Sequence, residues 1–366
     1  MTFYKIHPII SLFIPLIILM GCNQSEVSSP KMGIETTDMS DRKVMIPERI
    51  ENIIALNPGM LRLIAWLDAT DLVCGIEYNE TRRTVPYLFA HPELREKTVI
   101  GTGNSPDPEL LATLAPDVIF STYISRAEAD KLQSRTGIPV LAIQYGNFDD
   151  EIDMVFQALK YLGKILHREQ RADYLTNYIG ETIRDLHSRT SGDFANKNPS
   201  VYVGGISYRG SHGITSTEPR YPPFRFLNTT NVASSLGSVM TSRIDNMQNA
   251  FIDKEQLIEW NPDFIFLDMS SNSYKNDLID EPWVKILKAA KNDHIYTVYP
   301  YNWYTINYST LLVNAYLIGK ILYPEKFGDV NIETKADEIY QAILGKPVYN
   351  DMVSHFGKSR NLNSKI

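Results

Sequence analysis

Short aliphatic runs alternate along this chain with segments in which apolar residues recur at spacings of three and four. Examples of these runs are residues 53–56, 118–120, 140–143, 201–203, 264–267 and 295–298. Runs of this composition are typical of buried strands, and their alternation with helical segments predicts parallel sheets with helical crossovers. The pattern therefore predicts an α/β fold.

One helical pattern near the middle of the chain is longer than the others. Its apolar positions are Ala172, Leu175, Ile179, Ile183 and Leu186, and residues 168–188 contain no proline. This spacing predicts a single helix over residues 167–190. The helix would connect an N-terminal α/β lobe of residues 41–166 to a C-terminal α/β lobe of residues 191–366, because 366 residues suit two lobes better than one core.

An internal repeat supports the division into two lobes. Segment 107–120, DPELLATLAPDVIF, reappears as segment 253–266, DKEQLIEWNPDFIF, and LGKIL at 162–166 is echoed by IGKIL at 318–322. Each long copy predicts a short helix capped by Asp107 or Asp253, then a Pro-Asp turn and a buried strand. The two halves are predicted to be built alike.

The N-terminus departs from this globular pattern. Lys5 and His7 precede an apolar run over residues 8–20, which is too short to span a bilayer. The run ends in Leu19-Met20-Gly21-Cys22, which resembles a bacterial lipobox. That resemblance implies a lipoprotein signal peptide of residues 1–21, lipidation of Cys22 and a flexible tether of residues 22–40.

Composition and motifs remove several classes of protein. A net charge of −7 offers no basic surface for nucleic acid. After cleavage Cys74 would be the single cysteine besides Cys22, so no structural disulfide is expected. The sequence contains no nucleophile elbow, phosphate-binding loop or His-Glu-x-x-His motif, so we predict that the protein is not an enzyme. An enzyme that processes a metal complex and an adhesin-like surface lipoprotein are the competing hypotheses.

The order of these features carries a family resemblance. The lipobox, the segment DMSDRKVMIP at 38–47, the strand ending at Asn57-Pro58, the two Pro-Asp units and the linking helix follow one another in the chain. In this order they resemble the helical-backbone class of periplasmic substrate-binding proteins, which serve ABC importers of iron-siderophores, haem and vitamin B12. The resemblance implies two Rossmann-like lobes with a ligand cleft between them and an importer permease with its ATPase as partner. It also implies a monomer that is lipid-anchored to a bacterial membrane and exposed to the periplasm or the cell exterior.

The same resemblance assigns a role to one glutamate in each copy of the repeat. Glu109 and Glu255 match the family positions at which an acidic residue of each lobe docks onto arginines of the permease. Exposed ion pairs of this kind contribute about 0.2–1 kcal/mol each, but they orient the encounter. The alternative is that each glutamate only stabilises the first turn of its helix through the macrodipole.

Candidate ligand contacts lie where strands end at the carboxyl edge of a sheet, because open α/β sheets bind ligands there. They are Asn57, Tyr78, Tyr123, Tyr145, Tyr208, Arg209, His212, Arg220, Tyr221, Tyr301, Asn302, Trp303 and Tyr304.

Aromatic faces and arginines suit a large or anionic metal complex. We expect no cofactor and an iron(III) complex as ligand, most simply a ferric siderophore. Haem, a corrinoid and an oxyanion such as molybdate or tungstate are the alternatives, since Arg209, Arg220 and Arg225 crowd one loop. No direct protein ligation of a metal is expected, because the seven histidines do not cluster. Ligation by His212, the one histidine in a loop predicted to face the cleft, is the alternative.

Overall fold

The computed structural model describes residues 1–2, 33–103, 105–192, 198–207, 210–236, 242–244, 247–270 and 281–362. Residues 33–366 form one compact unit. Within the described residues, no helix is long and apolar enough to cross a bilayer. Only positions 1 and 2 of the signal peptide predicted for residues 1–21 are among the described residues. Three further predicted functional residues lie outside them: Cys22, Tyr208 and Arg209.

Strands and helices alternate through most of the chain. The strands are β1 Gly33–Thr37, β2 Lys43–Pro47, β3 Ile53–Leu56, β4 Val73–Ile76, β5 Thr98–Val99, β6 Gly101–Thr102, β7 Ser105–Pro106, β8 Val118–Thr122, β9 Val140–Ile143, β10 Ser200–Gly204, β11 Ser216–Thr217, β12 Thr230–Asn231, β13 Ser242–Ile244, β14 Met247–Phe251, β15 Phe264–Asp268 and β16 Ile295–Val298. The helices are α1 Met60–Trp66, α2 Tyr78–Thr81, α3 Pro86–Ala90, α4 Pro108–Leu114, α5 Arg126–Thr136, α6 Ile152–Ile165, α7 Glu169–Thr190, α8 Pro222–Phe226, α9 Lys254–Trp260, α10 Pro282–Lys285, α11 Lys288–Lys291, α12 Tyr308–Leu322, α13 Ile332–Leu344 and α14 Tyr349–Phe356.

Two parallel sheets organise the fold. The first has the order β5-β4-β3-β8-β9 and the second the order β12-β10-β15-β16. All pairings in both sheets are parallel, and β3, β8 and β9 are buried along their whole length. Continuous apolar runs are what strands covered on both faces require. The predicted α/β class is confirmed.

The repeat forms the same unit in both sheets. The Asp107 side chain accepts hydrogen bonds from the backbone N–H groups of Glu109 and Leu110, and the Asp253 side chain accepts one from Gln256. After each helix, the aspartate of the Pro-Asp turn ties β8 or β15 to its neighbour. Asp117 accepts from the amides of Glu51 and Asn52 before β3, and Asp263 accepts from the amide of Ser200 at the start of β10.

Helix α7 lies between the two sheets in the chain and begins two residues after the start of the predicted span. It buries Ala172, Leu175, Ile179 and Leu186, as its spacing predicts. Arg171, in its first turn, donates to the carbonyl oxygens of Trp66 at 2.8 Å and Ile343 at 3.0 Å. The helix therefore contacts α1, which precedes it in the chain, and α13, which follows it.

The predicted tether needs a correction in its last part. Residues 33–37 form strand β1, which pairs antiparallel with β2 in a hairpin. Polar composition predicted a flexible segment, but Asp38 is buried, and its carboxylate receives the backbone N–H and the guanidinium of Arg42 at 2.9 Å each. This buried turn extends the ordered lobe back to residue 33.

Candidate functional site

The loops that follow the strands of the two sheets face each other, and one of them bridges to the opposite lobe. This loop, which we call the cleft loop, comprises residues 301–307 after β16. The Tyr304 hydroxyl donates to Glu77 Oε2 at 2.9 Å, and Thr305 Oγ1 lies 3.0 Å from the Tyr123 hydroxyl. Glu77 directly follows β4 and Tyr123 directly follows β8, so the strand ends of the first sheet hold a loop of the second.

The cleft loop has an unusual backbone. Tyr304 and Thr305 are consecutive residues with φ values of 56° and 63°. Left-handed backbone is uncommon for residues other than glycine and is least favourable for a β-branched one such as Thr305. Conformations of this kind persist where the surroundings fix them, and they concentrate at ligand sites.

Arg62 supplies much of that surrounding structure. Its side chain is 1% exposed and lies in α1, a helix whose seven residues are all buried. The guanidinium donates to the carbonyl oxygens of Trp303 (3.3 Å), Tyr304 (3.2 Å) and Ile306 (2.6 Å), and to the Tyr145 hydroxyl (2.6 Å). Tyr145 in turn donates to the Ile306 carbonyl at 2.8 Å.

Asn57 and Tyr78 lie on the first-lobe side of the site. Asn57, at φ 72°, donates its amide side chain to Ser121 Oγ at 2.8 Å, while its backbone N–H donates to Glu77 Oε2 at 2.9 Å. A Cβ on Gly103 would collide with the Asn57 side chain, so glycine is required for this close approach. Tyr78 is 44% exposed and has the Arg82 guanidinium 5.0 Å from its ring centroid.

The second-lobe wall contains Ser207, His212, Asn302 and Trp303. The Asn302 side chain donates to the Ser207 carbonyl, and Ser207 Oγ lies 2.6 Å from Ser270 Oγ. The ring of His212 packs edge-on against Phe251 at 4.8 Å. Trp303 is half-buried and packs against the main core.

Three N–H donors beside the cleft loop are buried and have no acceptor among the described residues. They are Trp303 Nε1, Arg83 Nε and Arg62 Nε, and the other guanidinium N–H groups of Arg62 bind the loop carbonyls. Arg83 also stacks on Tyr304, with its guanidinium carbon 3.9 Å from the ring centroid. Buried donors nearly always have a partner in native proteins, so several unmatched donors at one loop indicate that an acceptor binds there.

Buried carboxyl groups surround the site. Burial raises the pKa of Glu77 to about 7, although the hydrogen bond from Tyr304 opposes that rise. Burial, reinforced by the charge of Asp268, raises the pKa of Glu218 to about 8, and burial raises the pKa of Asp268 to about 7. Glu218 accepts the hydroxyl of Tyr301. It also lines a cavity of about 10 Å³ with Asn147 and Asp149, which has room for about one water.

Two of the arginines that suggested an anionic ligand are engaged elsewhere. Arg220 pairs with Asp149 and, at 3.2 Å, with Asp150, and Arg225 pairs with Asp149. These pairs link Arg225 of α8 and Arg220, two residues before that helix, to the loop after β9. The positive charges of Arg220 and Arg225 are therefore balanced by carboxylates of the first lobe.

Three predicted ligand contacts are buried in this structure. Tyr145, Tyr221 and Tyr301 are at most 2% exposed, and each hydroxyl has a hydrogen-bond partner. Tyr221 receives the Asn314 side chain and packs edge-on against Phe224. Position at a strand end does not determine which way a side chain points, so sequence could not separate these three from Tyr78, Tyr123 and Tyr304.

Arg62 was missed by sequence reasoning, although a signal was present. It is the one charged residue in the apolar segment 60–67, MLRLIAWL. A charge on a fully buried helix needs partners, and such a residue is a candidate for an organising role. Regarding metal ligation, the described residues hold no group of three His, Cys, Asp or Glu side chains that could bind a metal ion.

Glu109 and Glu255 are both exposed. Each lies in the first turn of its helix, two residues after the capping aspartate. Glu255 has Lys254 at 3.9 Å, and both of those side chains are more than half exposed.

Two parallel sheets joined by a long helix, with polar and aromatic loops meeting at their strand ends, define a two-lobed solute-binding protein. The chain belongs to the periplasmic binding protein family, which matches residues 53–301. Members of this family are substrate-binding proteins that work outside the cytoplasm with ABC importers and are not enzymes. The predicted family and the predicted absence of catalysis are thereby confirmed.

Individual relatives differ in what they bind. The chain is 24% identical over 345 residues to the molybdate-binding protein MolA of Haemophilus influenzae, covering 88% of this chain and 95% of that protein. It is 24% identical over 296 residues to the Fe(3+)-citrate-binding protein YfmC of Bacillus subtilis, covering 78% and 86%. The structure of MolA bound to molybdate matches with a TM-score of 0.67 at 22% identity, over 86% of this chain and 98% of that one, which shows a shared fold.

Proposed function

We propose that this protein captures a small metal oxyanion of the molybdate and tungstate type and delivers it to an ABC importer. The observation that carries the proposal is the pair of buried, unmatched N–H donors of Trp303 and Arg83 beside the cleft loop. An oxyanion offers only acceptors and would satisfy both. Because Arg220 and Arg225 are already paired, recognition would depend on these donors rather than on an excess of charge.

The contacts between the lobes also favour a compact ligand. Three contacts close the gap between the lobes along the cleft loop. They are the hydrogen bond from Tyr304 to Glu77, the contact of Tyr123 with Thr305, and the hydrogen bonds from Arg62 to the loop carbonyls. A tetrahedral oxyanion needs less room than a ferric siderophore or haem. The similarity to MolA over most of both chains supports the same choice.

A ferric chelate is the second candidate. Its support is the similarity to the Fe(3+)-citrate-binding protein YfmC, together with the exposed Tyr78 and half-buried Tyr123 at the strand ends. Citrate carboxylates would accept from the same donors, so the ligand class must be decided by binding.

Calorimetry and thermal shift on the purified protein separate these ligands. Molybdate, tungstate, sulfate, phosphate, ferric citrate, a ferric hydroxamate siderophore, haem and cobalamin would be titrated in parallel. A ligand at a hundred times its Kd adds about 2.7 kcal/mol to the free energy of unfolding. We expect stabilisation by molybdate and tungstate and none by phosphate. Stabilisation by ferric citrate alone would establish the second candidate. If none of these ligands stabilises the protein, the proposed site is refuted.

A single substitution tests the donor directly. Trp303→Phe keeps an aromatic ring but removes the indole N–H, and a hydrogen bond to a charged partner contributes about 1.5–3 kcal/mol. We expect at least a tenfold loss of molybdate affinity. Trp283→Phe, a half-buried tryptophan in α10, is the matched control and should bind as the parent does. Equal loss in both variants would mean that the effect is one of folding.

Delivery would use Glu109 and Glu255, whose exposed carboxylates stand one on each lobe. We expect the double change Glu109→Arg/Glu255→Arg to abolish importer-dependent molybdate accumulation while the purified variant keeps its affinity. Glu259→Arg reverses a charge one turn further along α9 and should leave uptake nearly intact. Normal uptake in the double variant would instead favour an adhesin-like lipoprotein.

Anchoring would occur through Cys22, after removal of residues 1–21, with residues 23–32 as the remaining tether. We expect the anchored protein to be monomeric. In cells, Cys22→Ser should move the protein from the membrane fraction to the soluble fraction. Retention of the variant on membranes would exclude lipidation at this position.

A further inference from the structure

The cleft loop follows a strand of the second sheet but is held by the first lobe. Arg62 reaches it from α1 and donates to three of its carbonyl groups, those of Trp303, Tyr304 and Ile306. The first lobe adds the carboxylate of Glu77 on Tyr304 and the hydroxyl of Tyr123 beside Thr305. The position of the loop is thus set from the opposite side of the cleft.

The guanidinium is held firmly on its own side. Its centre lies 5.2 Å from the Tyr87 ring centroid and 5.9 Å from that of Tyr145. Tyr87 donates its hydroxyl to the buried carboxylate of Glu80, which balances the charge of Arg62. A buried cation with this many partners stays in place, because each alternative position would leave charge or carbonyl groups unsatisfied.

The loop needs such support. Tyr304 and Thr305 are consecutive left-handed residues, and Arg62 binds the carbonyl groups on both sides of them. Trp303 directly precedes this pair and carries one of the unmatched donors. Releasing the carbonyls would let the backbone relax toward ordinary φ values, which would redirect the indole.

We infer that Arg62 is a positioning residue for ligand recognition: it fixes the backbone of residues 303–306 and thereby aims the Trp303 N–H, without touching the ligand. This inference rests on the proposed function for the role of Trp303. It also makes the cleft loop a fixed wall rather than a gate. Ligand must enter past other parts of the cleft rim.

Arg62→Lys tests the inference, since lysine keeps the charge but cannot present the planar fork that serves several carbonyls. Arg171→Lys is the matched control. Arg171, in the first turn of α7, also donates to two backbone carbonyls, but these belong to Trp66 in α1 and Ile343 in α13 and not to the cleft loop. Hydrogen exchange of the amides of residues 301–308, thermal unfolding and molybdate affinity would be measured for both variants.

We expect both variants to unfold at lower temperature than the parent. Arg62→Lys alone should accelerate exchange in residues 301–308 by tenfold or more and weaken molybdate binding by a similar factor. Unchanged exchange in that segment, or exchange raised equally by Arg171→Lys, would overturn the inference. If Arg62→Lys does not fold, Tyr145→Phe removes a hydroxyl that bonds both Arg62 and Ile306 at nearly constant volume, and it should show the same pattern in weaker form.

Hydrogen exchange is measured without ligand, so it tests whether Arg62 holds the cleft loop in place even if the parent protein fails to bind molybdate. That failure would refute the proposed ligand and leave the positioning of the loop to stand or fall on exchange alone. If the parent binds and exchange accelerates, but the affinity of Arg62→Lys is unchanged, the loop is clamped without serving recognition, and the inference is refuted.

Discussion

Glu218 should make the stability of this protein fall as the pH rises through neutrality. The side chain is buried, accepts a hydrogen bond from the Tyr301 hydroxyl and interacts electrostatically with Asp268. Burial and then Asp268 raise the pKa of Glu218 from 4.5 to about 8. The perturbation that isolates this effect is Glu218→Gln, which keeps the shape and an acceptor for Tyr301 but cannot ionise.

The sign and size follow from proton linkage. A carboxyl group whose pKa is raised by folding binds its proton more tightly in the folded state, so its contribution is complete below pH 4.5 and is lost as the pH approaches 8. Where the folded state keeps the proton and the unfolded chain has released it, stability falls by about 1.4 kcal/mol per pH unit. Between pH 5 and pH 7 the loss from this one group is about 2.5 kcal/mol.

Urea unfolding at pH 5, 6, 7 and 8 measures this loss. The difference between parent and Glu218→Gln is the informative quantity, because the titrations that both proteins share cancel. We expect the variant to gain on the parent by about 2.5 kcal/mol from pH 5 to pH 7. Glu255→Gln, which changes an exposed carboxylate, is the control: its free energy of unfolding should differ from that of the parent by nearly the same amount at every pH. A constant difference between Glu218→Gln and the parent would refute the reasoning, since it would mean that Glu218 is ionised throughout this range.

Two further changes test packing and capping. Gly319→Ala should destabilise the protein by about 1–3 kcal/mol in urea unfolding, because an added Cβ would lie within 2.8 Å of three carbons of the Phe327 ring. Gly180→Ala in α7 is the control and should stabilise the protein by about 0.4–1 kcal/mol, since the nearest neighbour of its Cβ would be the end of a flexible arginine at 3.4 Å. Equal effects of the two changes would contradict the predicted collision with Phe327. Asp253→Ala should cost about 0.5–2 kcal/mol through loss of the bond to the Gln256 amide, measured in the same way, and a neutral result would show that this cap does not contribute.

The fold was predictable because its signals are local and repeated. The two Pro-Asp units place a cap, a turn and a strand within fourteen residues of sequence each, and both appear in the structure. A long helix was predicted from the spacing of Ala172 through Leu186, and α7 begins two residues after the predicted start. The first strand was missed because Gly33–Thr37 pairs with residues that follow it, and its polar composition contains no sign of that pairing.

The site was less predictable because side-chain direction is a tertiary property. Sequence placed Tyr145, Tyr301 and Tyr304 at strand ends, where all three are found, but only Tyr304 lies at the contact between lobes with part of its surface accessible. The partners that decide this, such as Arg62 and Glu77, come from segments more than two hundred residues away in the chain. No local pattern contains information at that distance.

The repeat itself separates residues that build the fold from residues that remain available for a partner. Asp107 and Asp253 already cap the helices, so Glu109 and Glu255, at the second helical position, are not needed for that bond. Their remaining structural contribution is to the helix macrodipole, about 0.3–1 kcal/mol each. Glu109→Gln and Glu255→Gln should therefore change stability by no more than that, as measured by urea unfolding. A larger loss would assign the glutamates to folding, whereas a small loss combined with impaired uptake would assign them to docking.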